Sequence, residues 1–191
     1  LRAYYPSGPP GEVVTRERRF RGRTSVVRRL NHKIPRMLWE ISAHPGREFL
    51  DCSGSLGILA EVAVDLGKKV TCWESSGPLS AFVRWRMEGR KRPVRVITGP
   101  FDGETLDRQY DLILALDCRE WASSPQANVA YLYRHLEKGG RLLLLSDYYP
   151  PTNIAPLEAG CATREVQSWL LQQGAVNLTR LEANWSLWRK P

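Results

Sequence analysis

The stretch "FLDCSGSLGILAEVAVDLGKKVTCWES", residues 49–75, decides the fold. At its left end, "REFLDC" reads as a buried strand that closes on Asp51. "LGILAEVAVDLG" has the apolar spacing of a helix stopped by Gly67. "KVTCWE" is a second strand, closing on Glu74, 23 residues after Asp51. Strand, tight turn, helix and acid-terminated strand is how a nucleotide-binding crossover begins. A carboxylate at that second strand end suits a ribose, because it accepts hydrogen bonds from both hydroxyls. The turn itself, Asp51-Cys52-Ser53-Gly54-Ser55-Leu56-Gly57, carries serines where such turns usually carry glycines.

Working outward, strands and helices keep alternating. "GPLSAFVRWRMEG" is a helix with Pro78 in its first turn and Gly89 after it, and "PVRVIT" is the next strand. "YDLILALD", nearly continuous in apolar residues, fits a parallel strand covered on both faces and closes on Asp117. "SPQANVAYLYRHLEKGG" reads as a helix from Ser124 to a Gly stop, "RLLLLSD" as a strand and "CATREVQSWLLQQG" as a helix. "AVNLTRLEANWSLWRKP" gives two short strands at an antiparallel end of the sheet. This pattern implies an α/β, Rossmann-like, doubly wound sheet, whose ligand sits beyond the carboxyl ends of the strands. The expected organisation is a basic, Pro/Gly/Arg-rich extension over 1–24 and a folded domain over 25–191.

Composition bounds the function classes. The 191 residues are 42% hydrophobic and 25% charged, as in globular proteins generally. No apolar run approaches the roughly 18 residues of a membrane span, and the Pro-rich opening has no signal-peptide core. Cys52, Cys72, Cys118 and Cys161 include no CxxC pair and the chain has three histidines, so no metal site is expected. Cysteine usage points to a reducing intracellular compartment, cytoplasmic by default, with mitochondrial and nuclear locations open. The net charge of +8 is concentrated: residues 1–36 hold ten Arg/Lys against Glu12 and Glu17. That arm suggests an anionic partner, RNA or a ribonucleoprotein first, set against an ordinary solvated extension. Arg84, Arg86, Arg90, Lys91, Arg92 and Arg95 form a second basic group. Trp85 lies among them, at a spacing that reads as core-facing.

From about residue 25 onward, the chain resembles a class I S-adenosylmethionine-dependent methyltransferase. "FLDCSGSLGILA" looks like that family's first motif, "VTCWES" like its second, and "VRVITGPFDG" is similar to the segment flanking the adenine. "YDLILALD" and "LEKGGRLLLLSD" are similar to the segments that follow. The resemblance implies a seven-stranded sheet and S-adenosylmethionine as cofactor. It implies cofactor contacts from Asp51, Ser53, Gly54, Ser55, Gly57, Glu74, Ser75, Phe101, Asp102 and Asp117, with Glu74 on the ribose. Acceptor chemistry falls to the segment after the fourth strand, where Asp117, Arg119 and Glu120 are the candidates and Trp121 a lid. The departures are definite. The family's three alternating glycines fall on Ser53, Ser55 and Gly57, and the acid that often follows "ITG" is replaced by Pro100, with Asp102 two residues on.

Other chemistries lack their signatures. There is no G-x-G-x-x-G, no Walker loop and no G-x-S-x-G elbow. The DPPY-type tetrapeptide of amino-directed enzymes and the Pro-Cys nucleophile of cytosine-C5 enzymes are also missing. Tyr148 and Tyr149 would stand at the pocket mouth, stacking on an acceptor or shielding the sheet. "DCSGSLG", "ESSGPLSAF" and "GAVNLTRLEANW" are further similar to the non-catalytic RNA-binding subunit of the eukaryotic tRNA adenine-N1 methyltransferase, whose fold persists without cofactor. Three functions therefore stand: a methyltransferase acting on RNA, a cofactor-free RNA-binding or ribonucleoprotein assembly subunit working with a partner subunit, and a small-molecule methyltransferase.

Overall fold

In the computed structural model, residues 35, 37–52, 56–88, 93–99, 106–116, 125–145, 156–179 and 185–191 are described. The chain divides into two units, Leu1–Met37 and Leu38–Pro191, and the architecture is that of the second. Helical residues 38–43, labelled α1, lead into β1 (Glu48–Asp51). There follow α2 (Ile58–Asp65), β2 (Lys69–Glu74), α3 (Gly77–Met87), β3 (Arg95–Thr98) and β4 (Tyr110–Leu116). The remainder is α4 (Pro125–Arg134), β5 (Leu136–Leu145), α5 (Pro156–Gln172), β6 (Val176–Asn177) and β7 (Trp185–Arg189).

The seven strands form one sheet in the order β3-β2-β1-β4-β5-β7-β6. β7 runs antiparallel between β5 and β6, and the other pairings are parallel. The order reverses between β1 and β4, which makes their carboxyl ends the switch point where α/β sheets take ligands. Both alternating sets of the central strands are buried. Leu50, Ile113, Leu142 and Trp188 join Leu132 of α4 and Leu170 of α5 in one cluster, while Phe49, Leu112, Leu114 and Leu143 are also fully buried. That two-sided burial is why "YDLILALD" shows no polar alternation.

Two element boundaries depart from the sequence reading. The helix expected through "EKGG" stops at Arg134, and β5 begins at Leu136. The register slips there, from Tyr110 opposite Leu136 to Leu112 opposite Arg141. Gly139 takes φ 75° in that irregularity, and a Cβ on Gly140 would stand 2.8 Å from the Glu137 carbonyl oxygen. The glycine pair therefore serves a strand bulge and not a helix stop. α5 starts at Pro156, five residues ahead of the expected "CATREV".

The amino ends of the strands are tied together. Asp111 Oδ2 accepts from the Arg47 and Glu48 backbone N–H groups at 2.7 and 2.9 Å, joining β4 to the entry of β1. Lys68 Nζ donates to the carbonyls of His44 and Gly46, and Arg141 donates to buried Glu40 at 2.8 Å. His44 Nδ1 accepts from the Gly46 N–H at 3.1 Å, which requires a neutral ring. Burial, then Arg141 and Lys68, push the His44 pKa down from 6.5, against the opposing pull of Asp111 and Glu40. Between the depressed folded value and 6.5 the unfolded chain binds more protons, so stability falls as pH drops through that window. The expected slope is up to about 1.4 kcal/mol per pH unit. Urea titrations at stepped pH below 6.5 should show it, and His44→Gln should flatten it; a slope untouched by that substitution removes His44 as the cause.

Candidate functional site

The opposite edge of the sheet carries Asp51, Glu74 and Ser75 of the expected ligand groups. The order β3-β2-β1 sets three strand ends side by side, with Asp51 opposite Cys72 and Glu74 opposite Thr98. Asp51 and Glu74 are both buried, and Ser75 is exposed just beyond β2. Glu74 is fixed by the turn that follows it. Its Oε1 accepts the Ser76 N–H at 2.8 Å, and Ser76 is the N-cap of α3, taking the Leu79 N–H on its hydroxyl. Among the described residues no group donates to Oε2. A buried carboxylate with one oxygen anchored and one unengaged is a poised acceptor, of the kind a ribose diol needs.

Gly99 follows β3 beside it. Its N–H points to the Glu74 carbonyl at 3.4 Å, its own carbonyl accepts from Trp73 Nε1 at 3.1 Å, and its φ is 129°. Among the described residues no atom comes within 4 Å of where a Cβ would be, so the backbone is open there to a close approach. Glu74 and Gly99 together fit the ribose side of an adenosine-type cofactor. Cys72 lies behind them in the core, its thiol pushed far up by burial and then by the Asp51 charge, so it is no nucleophile.

Gly57 has a different reason to be glycine. It caps the start of α2 with φ 69°, a left-handed conformation, and a Cβ there would meet Met87 and Val83 of α3 at 3.2 and 3.3 Å. The fold alone requires this glycine, whatever occupies the site. Of the other expected residues, Ser53, Gly54, Ser55, Phe101, Asp102, Asp117, Arg119 and Glu120 lie outside the described residues, as do Trp121, Tyr148, Tyr149, residues 1–34 and Arg90–Arg92.

Sequence reasoning missed two groups. Gly99 was legible only as a glycine after a strand; its open flank depends on the fold around it. Asn128, near the start of α4, leaves Nδ2 buried with no hydrogen-bond partner among the described residues, an arrangement that costs about 1–3 kcal/mol unless an acceptor arrives. One expectation is reversed. Trp85 does not face the core: it is 65% exposed, because α3 turns Ser80, Val83 and Met87 inward instead. Among the described residues no cluster of potential metal ligands occurs, and no helix is long and apolar enough to cross a membrane.

Residues 50–144 match the family described as a methyltransferase domain. The fold is shared with many solved structures. N-methyltransferase NodS from Bradyrhizobium japonicum, in complex with S-adenosyl-L-homocysteine, superposes with TM-score 0.64 at 13% identity, over 86% of this chain and 87% of that one. A Clostridium thermocellum protein assigned as an rRNA methylase gives TM-score 0.65 at 12% identity, over 83% and 97%. TehB from Haemophilus influenzae gives 0.61 at 15% identity, over 82% of this chain; the matched part spans 62% of that one. No curated protein matches the chain by sequence.

Proposed function

We propose, for a chain whose residues 50–144 carry a methyltransferase domain on the class I methyltransferase fold, that it transfers a methyl group from S-adenosylmethionine to RNA. The observation that carries this reading is Glu74, buried at the end of β2 with Oε1 anchored by the Ser76 N–H and Oε2 unengaged among the described residues. Glu74 would accept the two ribose hydroxyls, and the open flank of Gly99 would let the nucleoside lie against the backbone. When bound, the cofactor supplies an electrophilic methyl on a sulfonium. The chain's part is then mainly to hold the acceptor in line, and a base is needed only where the acceptor must lose a proton. Asp117, Arg119 and Glu120, which follow β4 in the chain, are assigned to that acceptor side. RNA is favoured by the ten cations within residues 1–36, and the rRNA-methylase assignment of one structural neighbour agrees with it.

A second reading rests on Gly57. The one alternating glycine that the turn keeps is the one the fold demands, while Ser53 and Ser55 replace the other two. That pattern favours a methyltransferase-like RNA-binding subunit without cofactor. One experiment separates the two. Calorimetric titration with S-adenosylmethionine and S-adenosylhomocysteine should give saturable binding that Glu74→Ala weakens at least about 30-fold, the loss of roughly 2 kcal/mol of charge-assisted hydrogen bonding. Absence of binding to millimolar ligand, from protein with a cooperative unfolding transition, overturns the enzyme reading and leaves the cofactor-free one.

A further inference from the structure

β3 is the outermost described strand on its side of the sheet, and α3 holds its carboxyl end by more than packing. Arg84 on α3 donates Nη2 to the Val96 carbonyl at 3.0 Å and to Thr98 Oγ1 at 2.9 Å. The first bond covers an edge carbonyl and needs no further reason. The second continues inward. Thr98 Oγ1 donates to Ser80 Oγ at 3.0 Å, and buried Ser80 donates to the Gly77 carbonyl at 2.9 Å. The hydrogen bonds all point one way, from a guanidinium through two hydroxyls to a carbonyl in the first turn of α3. A chain that starts at a charged donor is polarised along its length, so its members hold one another more firmly than separate bonds would.

This chain joins the two halves of the nucleoside cradle. At its inner end, Gly77 opens α3 directly after Ser76, whose N–H anchors Glu74 Oε1 at 2.8 Å. At its outer end, Thr98 stands opposite Glu74 in the β2–β3 register and immediately precedes Gly99. The path closes on itself, because the Gly99 N–H meets the Glu74 carbonyl, though only at 3.4 Å. Gly99 is the weak member. It sits at φ 129°, in a region that glycine alone enters freely, and it has no side chain with which to hold that conformation. The Trp73 indole N–H fixes its carbonyl at 3.1 Å from the β2 side. From the α3 side the segment is held through the hydroxyl of Thr98.

We infer that Thr98 is a positioning residue for the cofactor: its hydroxyl, bound by Arg84 and seated on Ser80, holds Gly99 in the open conformation beside Glu74 that the nucleoside needs. The role presupposes that Glu74 and Gly99 receive the nucleoside of S-adenosylmethionine, as proposed above. Thr98 acts through the Gly99 backbone, so its contribution is a site already in the bound shape before the ligand arrives.

The test is calorimetric titration of the full 191-residue chain with S-adenosylhomocysteine, for wild type and four variants. Thr98→Val keeps the branched shape and removes the hydroxyl. Because Thr98 is exposed, its unfolding midpoint should stay within about 3 °C of wild type. Affinity should nevertheless fall about 3- to 10-fold. Thr98→Ser puts a hydroxyl back and should bind within about 2-fold of wild type. Arg84→Met should lose about as much as Thr98→Val, and the double variant no more than either alone, because both substitutions break one chain. Equal affinity of Thr98→Val and wild type overturns the inference and leaves Arg84 to cover the sheet edge; so does a loss that Thr98→Ser shares in full, or one that simply adds in the double variant. Wild-type binding that Thr98→Val leaves untouched sinks the positioning role alone. No binding by folded wild-type chain sinks the enzyme reading, and the positioning role with it.

Discussion

Gly46→Ala should cost about 3–5 kcal/mol of stability. A Cβ at Gly46 would stand 2.2 Å from Asp111 Cγ, 2.3 Å from its Cβ and 2.6 Å from Oδ2. These are not the far end of a flexible chain. Asp111 Cβ is fixed by the β4 backbone, and the carboxylate is held by the Arg47 and Glu48 N–H groups. Relief requires the β1 entry to move off β4, which breaks both hydrogen bonds and draws the Gly46 carbonyl away from Lys68 Nζ. The Gly46 backbone is not in the left-handed region, so the cost comes from close approach and not from a turn conformation. Chemical denaturation of the full chain measures it, and a midpoint within about 1 kcal/mol of wild type would refute the packing argument.

Asp111→Ala should cost about 2–4 kcal/mol, from two backbone donors left without their charged acceptor. Lys68 adds to this, because burial already pushes its pKa down and the Asp111 charge is what opposes that shift. Asp111→Asn keeps an oxygen in place and should lose less than half as much. A denaturation series in which the Asn variant is the weaker of the two contradicts this account. Asp111→Ala should not rescue Gly46→Ala, since the Asp111 Cβ alone is too close. Neither substitution should change S-adenosylmethionine affinity per folded molecule, because the knot lies at the amino ends of the strands and Glu74 at the carboxyl end of β2.

The residues themselves carried the alternation of strands and helices, because burial on two faces leaves a continuous apolar run and burial on one helical stripe leaves a 3.6-residue spacing. They also carried Asp51 and Glu74 as neighbouring strand ends, since a crossover of that length returns parallel and adjacent. Gly57 was legible as a glycine the chain needs, but not the reason for it: Val83 and Met87, which crowd it, are 26 and 30 residues away in sequence.

Only the tertiary structure decided what depends on which surfaces meet. β7 enters between β5 and β6 because strand order is set by contacts far apart in the chain. "EKGG" becomes strand because Leu136 and Arg141 on either side of it pair with Tyr110 and Leu112 of β4, the tetrapeptide forming the bulge between them and overriding its helical propensity. Trp85 faces water because α3 offers the sheet one narrow stripe, and helical periodicity shows that an apolar stripe exists without showing which way the helix is rolled. The sequence determined the crossover and its two acids by local pattern; the structure decided which glycines the packing requires, which acid keeps an oxygen open and which aromatic is left outside, because each depends on atoms brought together only by folding.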